Sequence, residues 1–213
     1  MAIKKSFFIS FEGVEGSGKS TQAKLLYKYI KDNISKKVIL TREPGGTKFS
    51  ERIRNILLDN NFKKNPLTEF FLLMAARNDH VVNKINYYLK KDFIIVCDRF
   101  YYSTLAYQHY LEGMNKKFIY ETQKKIFKNI YPDITFLIDL NEKESKIRIK
   151  KRIKKINRFD KLSNYHFNKI RNGFLKIAKI YKKKVILING SNSLNEIKNE
   201  VIKKTLKVLN VRH

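Results

Sequence analysis

One segment, Gly13-Val-Glu-Gly-Ser-Gly18-Lys19-Ser20-Thr21, limits what this chain can fold into more than any other. Its meaning depends on its flanks, and the flanks are right. The apolar run Phe7-Phe-Ile-Ser-Phe11 before it predicts a strand. Lys19 to Tyr29 after it predict a helix, with Ala23, Leu26, Tyr27 and Ile30 at i, i+3, i+4 and i+7. Gly13, Gly16 and Gly18 let backbone N–H groups turn inward around an anionic phosphate chain, at the positive end of the helix they open. Val14, Glu15 and Ser17 fill the variable places of this loop. Lys19 can then reach the β- and γ-phosphates, and the Ser20 hydroxyl, followed by Thr21, can ligate Mg²⁺. A chance glycine-rich turn would not carry the whole pattern between strand and helix, so Gly13 to Thr21 are read as a site for ATP or GTP.

Five strand-like runs, 6–11, 37–41, 93–97, 134–139 and 184–188, alternate with helical stretches. That alternation predicts an α/β fold: a five-stranded parallel sheet with helices on both faces. A longer helical region, 47–90, is interrupted near Asn60 to Pro66, and Pro66-Leu-Thr-Glu69 reads as a helix entry. Another helix pair fills 102–130, broken at Gly113 and ended before Pro132. The last helix opens with a capping box, Ser193-Leu-Asn-Glu196. No repeat, proline-rich linker or low-complexity tail divides the 213 residues, so a single domain over 1–213 is expected.

Lys and Arg number 46 against 19 acids, a net charge of +27 that would draw polyanions at low salt. The lysines are spread over nearly every expected helix, beside abundant Asn and Ile, which reads as compositional bias toward AT-rich codons. No nucleic-acid motif accompanies the charge, so no dedicated nucleic-acid partner is expected. The longest apolar runs are too short to span a bilayer, and Glu12 follows too few apolar residues for a secretion signal. No membrane partner is expected. One cysteine excludes an internal disulfide and suits a reducing cytoplasm, with Cys97 a small buried hydrophobe in its strand.

Asp98-Arg99 directly follows the third strand run, at the sheet edge where ligands gather. From there Asp98 can approach the metal through water. Arg99 is either a ligand for an anion or half of a structural ion pair. Thr41-Arg-Glu-Pro-Gly-Gly-Thr47 makes a tight turn at the same edge. Arg54 and Arg77, each a surface residue if taken alone, suggest with Arg99 a second pocket for another anionic molecule.

The phosphate loop, the loop 41–47, Ala75-Ala-Arg77, Asp98-Arg99-Phe100 and Ser103-Thr-Leu-Ala-Tyr-Gln108 together resemble bacterial thymidylate kinases, in family order, from the first strand to about residue 182. The resemblance implies the fold of P-loop NTP hydrolases and transfer of the ATP γ-phosphoryl group to dTMP. By it Lys19 serves the donor, while Arg99 and Arg54 hold the acceptor phosphate. Arg77 and Gln108 hydrogen-bond the thymine edge with Thr104 nearby, and Tyr107 packs on the deoxyribose. Glu15 meets the 3′-hydroxyl, and Glu43 helps organise the acceptor or its metal. The family commonly has a phenylalanine where this chain has Leu73, with Phe70 one turn earlier; either side chain could form the thymine wall.

Some members place an arginine in the phosphate loop, but here the variable positions hold none. The basic stretch 146–158 reads by default as a solvated helix face. It also fits the family's short mobile lid, over about 146–161. Arg158 aligns with the lid arginine, with Arg152 a weaker candidate, and closure would bring it onto the transferring phosphate, an effect worth on the order of 10³-fold or more in rate. Asn157 and Asp160 replace the usual Asp and Glu. The resemblance also implies a homodimer packed through helices. A GTPase reading fails because Asn83-Lys-Ile-Asn86 lacks the required Asp. A kinase for another nucleoside monophosphate and a basic nucleic-acid-binding ATPase remain as alternatives.

Overall fold

The structure, a computed structural model, describes residues 6–59, 61, 65–151 and 158–210, with Arg158 and Lys161 described in backbone alone. Apolar runs closed by a polar residue form β1 Phe7–Glu12, β2 Val38–Arg42, β3 Ile94–Asp98, β4 Ile134–Asp139 and β5 Val185–Asn189. Neighbours are parallel throughout, in the order β2-β3-β1-β4-β5. The alternation of strands and helices therefore produced the expected sheet.

Strand periodicity sends β1 into two cores at once. Phe7, Ile9 and Phe11 share one with Ala23, Leu26 and Ile30 of α1 (Lys19–Asn33) and with Ile197 and Val201 of α9 (Leu194–Leu209). Phe8 faces the other, edge-on to Phe100 with ring centroids 4.9 Å apart. That second core also takes Phe70 of α3 (Pro66–His80), Ile119 of α6 (Lys116–Phe127) and Phe174 of α8 (Asn164–Ile180). A sheet covered on both faces needs such near-continuous apolar strands. Cys97 is fully buried in β3, the place expected for it.

Helix ends follow the local chemistry. The Asn65 side chain accepts the Thr68 N–H at 2.8 Å, with Pro66 at the first helical position of α3. The Ser193–Glu196 capping box forms at α9. The interruption after α2 (Lys48–Leu58) is present, although residues 60 and 62–64 lie outside the described ones.

Three differences have physical causes. All strands except β4 start and end one residue later than their apolar runs, because Glu12, Arg42, Asp98 and Asn189 still belong to the ladder. The first helix runs on to Asn33, where nothing like Gly or Pro stops it. Two helical stretches, Val81–Ile85 before α4 (Asn86–Lys90) and Leu105–Leu111 after α5 (Tyr101–Thr104), have π geometry. A π turn adds a residue that the i, i+3, i+4 pattern does not register. The expected break is at Gly113, with φ 77°.

Candidate active site

The loop between β1 and α1 sits where the sheet's winding reverses, with β3 on one side of β1 and β4 on the other. At Gly13, φ is 144° and an added Cβ would lie 2.5 Å from the Ile138 carbonyl oxygen, so only glycine fits this approach. Lys19 is 8% exposed and its ammonium donates to the Val14 carbonyl at 3.1 Å, pulling the loop round the helix start. Burial, helped by the Arg99 charge, brings the Lys19 ammonium down to about 8, against the pull of Glu15, Asp98 and Glu12.

The same corner suits a hard divalent cation. The Ser20 hydroxyl donates to Asp98 Oδ2, while Asp98 Oδ1 is buried without a hydrogen-bond partner. Ser17 Oγ is likewise buried and unpartnered. A hydroxyl and a carboxylate oxygen beside a phosphate cradle match the small protein contribution Mg²⁺ usually takes. Ser145 of α7 (Glu142–Lys150) donates its hydroxyl to the Glu15 carbonyl at 2.7 Å, tying the root of the basic stretch to the loop.

A cleft of about 1470 Å³ includes this corner. Lys19, Ser20, Glu15 and Asp98 line it, together with Glu43, Arg54, Leu73, Arg77, Arg99, Thr104, Tyr107 and Gln108. The residues nominated for the second pocket are thus brought together. Arg77, a surface residue if taken alone, is only 4% exposed and spans three elements. Its Nε donates to Glu43 Oε2 (2.7 Å), Nη1 to the Thr104 hydroxyl (2.6 Å) and Nη2 to the Phe100 carbonyl (2.8 Å). Arg54 Nη1 donates to the Pro44 carbonyl at 2.8 Å. Leu73 lines the cleft, whereas Phe70 is fully buried against Phe71 and Phe118. That leaves Leu73, not Phe70, on the cleft wall.

The ion pair left open for Arg99 is present. Its Nη2 donates to Glu15 Oε1 at 2.6 Å, its Nη1 to the Ser103 hydroxyl at 3.0 Å, and the Tyr107 hydroxyl donates to Glu15 Oε2 at 2.7 Å. A guanidinium has five N–H donors, so this pairing leaves others for a bound anion. Of the lid candidates, Arg152 lies outside the described residues, and Arg158, described in backbone only, opens a short 3₁₀ turn, Arg158–Lys161.

Sequence reasoning passed over several residues. Glu12, at the end of β1, is 1% exposed and accepts the N–H groups of Phe100 (3.0 Å), Tyr102 (3.2 Å) and Ser103 (3.1 Å) on one oxygen. Its other oxygen accepts the Ser103 hydroxyl at 2.5 Å. Burial pushes this carboxyl above its ordinary value, while Ser103, Arg99 and the amides pull it back. Glu12 thus supplies acceptors for the orphan donors that open the helix carrying Thr104, Tyr107 and Gln108. Replacing Glu12 by Ala should lower unfolding free energy by about 3 kcal/mol or more, since several buried donors lose their acceptor, and Glu12→Gln by clearly less. Urea denaturation of both variants measures this; equal losses would refute the capping role. His80 and Phe159 were missed as well. Phe159 lines the cleft and stands edge-on to Tyr107, centroids 5.4 Å apart. An acid closing the apolar run of β1 was the available signal for Glu12; His80, which follows Asn78 and Asp79, and Phe159 carried none.

A phosphate loop at the switch point of a doubly wound parallel sheet, facing an arginine-rich pocket across one cleft, defines a P-loop phosphotransferase. The family model for thymidylate kinase matches residues 11–201. The chain is 39% identical to the thymidylate kinase of Thermosipho africanus over 194 residues, covering 91% of this chain and 94% of that protein. It is 40% identical to that of Sulfurihydrogenibium over 202 residues, covering 94% and 97%. The crystal structure of thymidylate kinase from Ehrlichia chaffeensis superposes with a TM-score of 0.77 at 34% identity, covering 94% of this chain and 98% of that one. The chain belongs to the thymidylate kinase family.

Proposed function

We propose that this chain transfers the γ-phosphoryl group of ATP to dTMP, giving dTDP and ADP on the route to DNA precursors, within a single domain whose lid spans about 146–161. One observation carries the reading: the phosphate loop and the pocket of Arg54, Arg77 and Arg99 line the same cleft. Phosphoryl transfer requires two polyanions held in line with their repulsion neutralised, and positioning with electrostatics does nearly all the work.

Lys19 and the loop amides hold the donor phosphates. Ser20 and Asp98 would hold Mg²⁺, which would supply charge neutralisation at those phosphates. Arg99 and Arg54 take the acceptor phosphate, so its hydroxyl-bearing sugar lies toward Glu15 and Tyr107. Arg77, fixed by Glu43, presents N–H donors to the thymine edge with Gln108, and Leu73 supplies an apolar wall. Thr104 steadies Arg77, while Tyr107 packs on the deoxyribose. A homodimer is part of the proposal. Leu67 and Phe71, one turn apart on α3, are exposed, and Phe71 lies edge-on to the exposed Phe118 of α6. Such an apolar patch fits a second copy. Among the described residues no helix is long and apolar enough to cross a membrane. A cytoplasmic location is proposed from the single cysteine and from the place of the reaction in precursor synthesis.

The deciding experiment is a coupled assay with Mg-ATP and dTMP, dUMP, dCMP, dGMP or AMP in turn. Preferred turnover of dTMP is expected; preference for another monophosphate would move the assignment to it, and turnover of none would refute it.

The Lys19 ammonium gives a pH prediction. Its pKa is about 8 without nucleotide, and a triphosphate beside it favours the charged form, raising that value. The complex then binds protons more tightly than the free protein. Binding a non-hydrolysable ATP analogue near pH 8 should take up about half a proton, and affinity should fall as pH rises further. Calorimetry in buffers of different ionisation enthalpy measures the uptake; no uptake would place Lys19 away from the phosphates.

A further inference from the structure

We infer that His80 is a positioning residue for the acceptor pocket, fixing through the Glu43 carboxylate the guanidinium that reads the acceptor base. His80 closes α3 and is fully buried, outside the lining of the cleft. Its Nδ1 lies 3.0 Å from Glu43 Oε1, and its Nε2 lies 2.7 Å from the Thr41 hydroxyl. The other oxygen of Glu43 accepts Arg77 Nε at 2.7 Å. Burial alone would raise the Glu43 carboxyl, but Arg77 and His80 outweigh it and hold it below its ordinary value. Glu43 is therefore an ionised acceptor at both oxygens.

That fixes the direction of the chain. A carboxylate can only accept, so Nδ1 must carry a proton. In the neutral ring Nε2 then accepts from the Thr41 hydroxyl, which anchors the imidazole to the end of β2. Arg77 and His80 stand three residues apart on one helix face, and together they clamp a carboxylate supplied by a different loop. The same loop presses onto the ring. At Gly46, φ is 92° and an added Cβ would come within 2.5 Å of His80 Nε2. Removing the ring would let Glu43 turn and release Arg77 from one of its three anchors.

This inference rests on the proposed role of Arg77 toward thymine, so its test separates the two. The wild-type protein, His80→Asn and His80→Leu are assayed with dTMP and dCMP, and folding is followed by thermal unfolding. The Asn amide keeps a donor near the Nδ1 position, and Leu keeps none. His80→Leu should raise KM for dTMP about tenfold and reduce preference for dTMP over dCMP, with KM for ATP nearly unchanged. His80→Asn should retain most of the wild-type KM and preference. If His80→Leu does not fold, His80→Gln, which restores only the Nε2 side, takes its place with the same expectation. KM values for dTMP and ATP that move together, or an Asn variant no better than Leu or Gln, would overturn the inference. A wild-type protein inactive on dTMP would overturn the function beneath it instead.

Discussion

Replacing Lys19 by Ala is expected to lower turnover by on the order of 10³-fold while leaving the protein folded. The lysine is held ready: its ammonium is nearly enclosed and donates to the Val14 carbonyl across the loop. A cation already in place when charge shifts along the transferring phosphate needs no reorganisation, and a partly desolvated site strengthens its field. ATP affinity should fall much less than turnover, because the loop amides at the start of α1 continue to bind phosphate. Rates at saturating ATP and dTMP, with separate binding titrations, make the comparison. A loss of turnover below about tenfold would exclude Lys19 from stabilising the transition state.

Arg158→Ala is expected to cost a similar factor, on the order of 10³-fold in turnover, with KM for both nucleotides changed little. Glu15, at the variable centre of the phosphate loop, is itself engaged by Arg99 and Tyr107. On the proposed mechanism the extra cation for the transferring group comes from outside the loop, and the basic stretch follows in sequence from α7, whose Ser145 is bonded to that loop. Arg152→Ala is the comparison, with a smaller loss expected. If Arg152→Ala proves the more damaging variant, the two lid arginines exchange roles. If neither lowers turnover, the lid supplies no finger.

Reading the sequence succeeded where the relevant atoms are neighbours in the chain. The phosphate loop is nine contiguous residues, and strand, loop and helix form locally around it. The acceptor pocket was legible differently, through short motifs carried on separate segments that resemble one family. What bonds they make was not legible. Arg77 might have been solvated on α3; instead it is buried, held by Glu43 from 34 residues earlier and Thr104 from 27 later. Glu12 and His80 were overlooked for the same reason. Glu12 finds its partners 88 to 91 residues away, and His80 lies 37 from Glu43, distances no periodicity reports. The choice between Phe70 and Leu73 turned on helix rotation, which the core fixed by enclosing Phe70.

By itself the sequence determined the alternating α/β plan, the place of the phosphate loop and the inventory of cations opposite it, because apolar period, glycine spacing and charge are properties of contiguous residues. Only the tertiary structure decided which of those cations are already paired, which wall faces the cleft and which buried acids and histidine hold the site in shape. Those outcomes depend on contacts between segments brought together by the sheet, where desolvation drives most buried polar groups to find a partner.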